Sequence, residues 1–148
     1  MNSLFDVEAR SSIHRRIDSL GLDRPALWGR MNAHQMICHV ADQLRVALGD
    51  IKVESQPGPL RFRPLRQILV YWLPWPKGKL PTAPEMLTTA PLQWDHDVAV
   101  LHALIDRFAE QNASEVWAAH PAFGTLSGRE WGVLSWKHFD HHLRQFGA

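Results

Sequence analysis

The 148-residue sequence predicts an all-α protein, a four-helix bundle with a long crossover between its second and third main helices. Three observations predict it. Four stretches carry apolar residues at steps of three and four, capping residues bound those stretches, and no stretch sustains the period-2 alternation of a half-buried strand. A single domain over residues 1–148 suits this length, and two ordinary domains do not.

The first main helix is expected from about Ser3 to about Ser19, with Ser3 and Asp6 as an N-cap pair, Phe5, Ala9, Ile13 and Ile17 as the apolar stripe, and Gly21 as the stop. The second runs from about Ala33 to about Leu48. Asn32 and Gln35 cap it, Met36, Val40, Leu44 and Ala47 form its stripe, and Gly49 closes it. The third spans about Leu92 to about Gln111 on Trp94, Val98, Leu101, Ile105 and Phe108. The fourth opens with the capping box Ser127-Gly128-Arg129-Glu130 and ends before Gly147.

About forty residues separate the second and third helices. Pro57, Gly58 and Pro59 mark a loop, Pro64 opens a short helix through Trp72, and Pro74, Pro76, Pro81, Pro84 and Pro91 prevent any long regular element. Such a crossing lets the second and third helices run parallel. The apolar run Ile68–Leu73, between Arg66 and Lys77, is too short to span a bilayer, which takes about 20 residues. It reads as a short helix and lid over one end of the bundle, with a membrane-surface anchor as the alternative.

Sixteen basic and fifteen acidic residues leave a net charge of +1, which gives no field to draw the chain to nucleic acid. The one cysteine, Cys38, excludes an internal disulfide and suits a reducing compartment. The N-terminal residues lack the layout of a signal peptide, so a cytoplasmic address is expected. No Gly-rich phosphate loop, nucleophile elbow, His-Glu-x-x-His or Cys-x-x-Cys is present.

Among nine histidines, His39, His138 and His142 carry the chemical argument. His138 and His142 are one turn apart on the fourth helix, a spacing at which two imidazoles can share one metal ion. On the helical wheel Glu130, Lys137, Asp140 and Arg144 form a charged side. His138 and His142 fall opposite with Trp131, Leu134 and Ser135, and His141 lies towards the charged, solvated side. His39 sits about 10 Å into the second helix, while His142 and His138 sit about 7 and 13 Å from the end of the fourth. If the two helices are antiparallel, His39 lies level with the gap between the other two; if they are parallel, it misses by roughly 9 Å. His39 borders its helix's apolar stripe, so it reaches inwards only from a seam between helices. Without a metal, these rings are solvated or hydrogen-bonded core histidines.

Other residues read more simply. Cys38 neighbours His39 but diverges from it by about 100°, and reads as a buried inert thiol. Gln145 and Gln43, each about one turn from a ring, are candidates to orient His142 and His39. His34, His96 and His102 either line the mouth of the same site or lie at the surface, with the surface favoured, and His120 is excluded as a ligand because it precedes the fourth helix by a loop. The seven tryptophans are expected to pack the bundle and lid, with Trp72 and Trp75 as candidate walls of an apolar substrate pocket.

The stretch Met31-Asn32-Ala33-His34-Gln35-Met36-Ile37-Cys38-His39-Val40-Ala41-Asp42 and the stretch His138-Phe139-Asp140-His141-His142-Leu143-Arg144-Gln145 resemble the DinB/YfiT superfamily of metal-dependent enzymes. The segment His120-Pro121-Ala122-Phe123-Gly124-Thr125-Leu126-Ser127 with Glu130-Trp131 is similar to an uncharacterised subgroup of it. The resemblance implies a four-helix bundle with a long crossover, often dimeric. It also implies a divalent metal, commonly nickel or zinc, held by one histidine of the second helix and a His-x-x-x-His pair of the last. Those ligands map onto His39, His138 and His142, with the wheel favouring His142 over its neighbour His141. Characterised relatives act with low-molecular-weight thiols, as S-transferases and a maleylpyruvate isomerase.

The expected function is therefore a metal-dependent enzyme, a thiol-dependent S-transferase or isomerase acting on a small-molecule substrate with a thiol cosubstrate. The alternative is a non-catalytic binding or stress-response module of the same fold, without bound metal.

Overall fold

A computed structural model describes residues 1–54, 56–73, 84–111 and 115–148. The protein is all-α: α1 (Val7–Asp18), α2 (Ala33–Leu48), a short α3 (Arg63–Gln67), α4 (Trp94–Glu110) and α5 (Gly128–Gln145). A 3-10 turn at Pro59–Arg61 precedes α3, a π turn at Ile68–Trp72 continues it, and a second 3-10 turn spans Pro84–Leu87. Among the described residues there is no strand, only an isolated bridge between His120 and Gly124.

The caps form where the residue types dictate. Asn32 accepts from the Gln35 N–H and Gln35 returns the bond, and Ser127 and Glu130 do the same for α5. Gly49 ends α2 in the left-handed conformation at φ 81°. The first helix differs from expectation. It begins at Val7 with Asp6 in the cap position, while Ser3 holds the preceding turn through Phe5 N–H on its Oγ. The third long helix begins at Trp94 rather than Leu92, because Gln93 is extended and stands in the cap position, while the Leu92 N–H donates to Asp97.

Side-chain pairings set the helix directions. His39 meets His138 and Gln43 meets Ser135, so α2 and α5 are antiparallel. His34 pairs with Asp97 and Asp50 with Arg107, so α2 and α4 are parallel. Leu4 N–H donates to Gly132 and Arg16 pairs with Asp140, so α1 and α5 are parallel. His14 stacks on His102 between α1 and α4, each ring also bonded to an aspartate, Asp106 for His14 and Asp18 for His102. The core between the helices is aliphatic and aromatic, with Ile13, Ile17, Met36, Ile37, Leu44, Leu101, Ile105 and Trp131 fully buried. Phe5 stacks on Phe108, and Trp117 closes that cluster.

The charged side of α5 is less solvated than the wheel predicts. Glu130 is buried in its capping box and paired with Arg66, Asp140 lies between Arg16 and Arg144, and Lys137 Nζ donates to the carbonyls of Leu69, Val70 and Leu73. Lys137 thus caps the π turn and fastens it to α5. Val70 is buried there, which agrees with a segment packed on the helices, while Trp72 is 78% exposed. Trp72 does not wall a deep pocket. Among the described residues, it lines a hollow of about 270 Å³ with Tyr71, Leu73, Trp136 and Lys137, and no histidine is in that lining. Trp75, Lys77, Pro74, Pro76 and Pro81 lie outside the described residues. No described helix is long and apolar enough to cross a membrane.

Gly132 marks where the N-terminal segment presses on α5. A Cβ there would meet Ser3 Oγ and come within 2.5 Å of the Phe5 ring, which the aromatic cluster prevents from yielding. Gly132→Ala is expected to lower stability by about 1–3 kcal/mol, the ordinary cost of overpacking, read from the urea midpoint.

Candidate metal centre

The site is built on the facing seam of α2 and α5. His39 projects from α2, and His138 and His142 from successive turns of α5. All three are buried, with 3%, 5% and 7% of their surface exposed. Their candidate ligand atoms lie within 4.8 Å of one another, and the ring centroids are 4.7–4.8 Å apart. The structure thus brings together the three predicted histidines at the predicted level, as the antiparallel direction requires.

The outer nitrogens decide which atoms face the centre. His39 Nδ1–H donates to the Met86 carbonyl at 2.7 Å, so the lone pair of this ring sits on Nε2. His142 Nδ1–H donates to Gln145 Oε1 at 2.8 Å, and the Gln145 amide donates in turn to the Trp28 carbonyl at 2.7 Å. That second bond fixes which end of the amide faces His142, and leaves the His142 lone pair on Nε2 as well. His39 Nε2 and His138 Nε2 are 2.9 Å apart. Either His138 donates its Nε2–H there, or an electrophile takes both lone pairs. Two imidazoles holding one ion at about 2.0–2.1 Å, at angles of about 90–110°, place their nitrogens about 2.9–3.4 Å apart, so the spacing fits a shared ion.

Burial sets the charge state. It lowers His39 despite the Met86 bond and a nearby Asp42, and it holds His138 well below the ordinary imidazole range. Burial, with His39 adding to it, brings His142 down to about 3. All three rings are therefore neutral near pH 7, the form in which histidine ligates metal.

Two loops hold the outer partners in place. Asp42 accepts from Thr89 N–H and from Arg45, which pins the chain just past Met86 to α2. The loop before α2 crosses the end of α5, where Leu27 N–H donates to the Gln145 carbonyl and Arg24 to that of Phe146. Gly29, at φ 83°, passes so close that a Cβ would lie 2.5 Å from Gln145 Nε2. The sequence pointed to Gln145 through its one-turn spacing, but nothing marked the Met86 and Trp28 carbonyls, which any residue type supplies.

Several expectations need correction. Gln43 does not orient His39; its amide donates to Ser135 Oγ. His141 is half-buried against Trp28 rather than solvated, because the loop before α2 covers that side of α5. His34 is half-buried and bonded to Asp97 at 2.7 Å, and His102 is packed against His14, so of the three expected surface histidines only His96 is exposed. His120 stays outside the cluster, as expected. Its Nδ1 accepts from the Ala122 and Phe123 N–H groups, and burial lowers it to about 3. Burial, reinforced by Asp97 and Asp42, pushes the Cys38 thiol up to about 11, so with no cation beside it the sulfur stays protonated near pH 7.

Residues 77–148 match a family described as a protein of unknown function, DUF1569. The matched stretch holds His138 and His142 and leaves out α1 and α2. No curated protein matches the chain, and neither does any solved structure.

Burial alone would raise Asp97, but the Leu92 N–H and the His96 and His34 rings hold its carboxyl down at about 2. A carboxyl lowered by folding stabilises above its unfolded pKa, and that contribution disappears as pH falls through the folded value. The urea midpoint of the wild type is expected to drop between about pH 4 and about pH 2, and Asp97→Asn should flatten that part of the profile.

Proposed function

We propose that this chain is a metal-dependent enzyme of the DinB/YfiT type, a four-helix bundle with a long crossover between α2 and α4. His39, His138 and His142 would hold one divalent ion, nickel or zinc. The observation that carries this reading is the convergence of three neutral, buried imidazoles, two of them with their outer N–H groups tied back to Met86 and Gln145. The parallel run of α2 and α4, which needs a long return of the chain, supports the bundle.

The reaction class is thiol-dependent S-transfer or isomerisation on a small electrophile. A divalent ion with three protein ligands keeps open positions, where it lowers the pKa of a bound thiol or water. The chain's own residues do the rest. Met86 and Gln145 fix the two tautomers, and burial keeps all three rings uncharged. The only cysteine is raised to about 11 and faces α4, so the reacting thiol is a low-molecular-weight cosubstrate. A cytoplasmic address and a homodimer belong to the same reading.

The second reading is a non-catalytic module without metal. One observation favours it: a single proton between His39 Nε2 and His138 Nε2 makes an ordinary hydrogen bond at 2.9 Å. Metal analysis separates the two readings. Native protein is expected to retain a tightly held divalent ion that His138→Ala releases and His141→Ala keeps, measured by elemental mass spectrometry. Equal loss from both variants, or a wild type free of metal after growth in supplemented medium, contradicts the proposal.

A further inference from the structure

A second cluster of donors lies on the other side of α2. His34 and Cys38 are one turn apart, so both point to the same neighbour, α4, while His39, about 100° around the helix from Cys38, points to α5. Asp97, in the first turn of α4, meets them. His34 Nε2 is 2.7 Å and Cys38 Sγ 3.9 Å from the same oxygen, Asp97 Oδ2, and donor atoms of all three residues lie within 4.8 Å of one another.

We infer that His34, Cys38 and Asp97 form a second metal site, separate from the three-histidine centre, which takes a borderline divalent ion such as zinc. The donor set is one imidazole nitrogen, one sulfur and one carboxylate oxygen, the mixture that suits zinc rather than magnesium or calcium. With zinc–sulfur at about 2.3 Å and zinc–oxygen at about 2.0–2.2 Å, a tetrahedral ion sets sulfur and oxygen about 3.5 Å apart, within a few tenths of the observed gap. His34 already holds Asp97 by a short bond and would turn its Nε2 lone pair to the ion, its proton passing to Nδ1. The Cys38 thiol would give its proton to solvent. Thiolate and carboxylate then balance a divalent ion in a largely buried place.

Hydrogen bonding alone accounts for His34 and for the Leu92 N–H on Asp97, but it accounts poorly for the thiol, whose contact at 3.9 Å is marginal. Access is open. The His34 and Asp97 side chains are 12% and 11% exposed. His96, 59% exposed, sits on the other oxygen of the same carboxylate at 3.1 Å and outside the donor cluster, so a water would fill the fourth position. This inference stands whether or not the three-histidine centre holds metal.

The test is titration of the metal-free full-length protein with cobalt(II), followed by near-ultraviolet absorption. Cys38 is the only sulfur that can give a thiolate-to-cobalt charge-transfer band, because the chain has one cysteine and the other centre has no sulfur. The expected result is a band that saturates by two ions per chain in the wild type, and at one ion per chain in His138→Ala and His142→Ala, where the three-histidine centre no longer competes. Asp97→Asn should require at least tenfold more cobalt, and Cys38→Ser should take up one zinc fewer than wild type. No band in the wild type overturns the inference. So does a band lost in both histidine variants, which would assign Cys38 to the other centre, or a cobalt affinity unchanged in Asp97→Asn.

Discussion

The antiparallel meeting of α2 and α5 is the constraint on which the site depends. With α2 reversed, His39 would miss the level of His138 and His142 by roughly 9 Å, and no shared centre could form. With it as observed, three imidazoles enter a buried seam. Burial disfavours a protonated ring, so each ring is neutral and each keeps one bare nitrogen. The hydrogen bonds to Met86 and Gln145 then determine that the bare nitrogens of His39 and His142 face inwards. The lone pairs of adjacent rings repel unless a proton or a cation lies between them, and so the arrangement favours an electrophile by its own electrostatics.

Much of the remaining fold keeps that arrangement in register. The Asp42–Thr89 bond holds the chain next to Met86, and the loop carrying Trp28 and Gly29 holds Gln145. Each support comes from a segment without regular secondary structure, laid across the rigid helices and fastened by a buried or half-buried polar group. Outer partners of this sort orient a ligand and tune its basicity. Lys137 plays an equivalent structural part away from the site, joining the π turn to α5 through three carbonyl groups.

The sequence made the helices legible because their signals are local. Asn32 with Gln35, and Ser127 with Glu130, form the capping boxes that their spacing announces. The i, i+4 histidines share a face for the same geometric reason, and His39 could be placed by counting rise per residue. What stayed hidden depends on tertiary contact. Burial of Glu130 needed Arg66 from the crossing segment, and shelter for His141 needed Trp28. The bond from His34 to Asp97 joins residues far apart in the chain, so the wheel of α2 alone put His34 at the surface. Backbone carbonyls such as that of Met86 leave no mark in sequence at all.

The central claim is that three side chains from two opposed helices share one ion. Crystals of the native protein, measured on both sides of the nickel and zinc absorption edges, test it directly. The account predicts one strong anomalous peak about 2.0–2.2 Å from the Nε2 atoms of His39, His138 and His142. Well-ordered rings with no peak among them, in protein grown with nickel and zinc present, would contradict it.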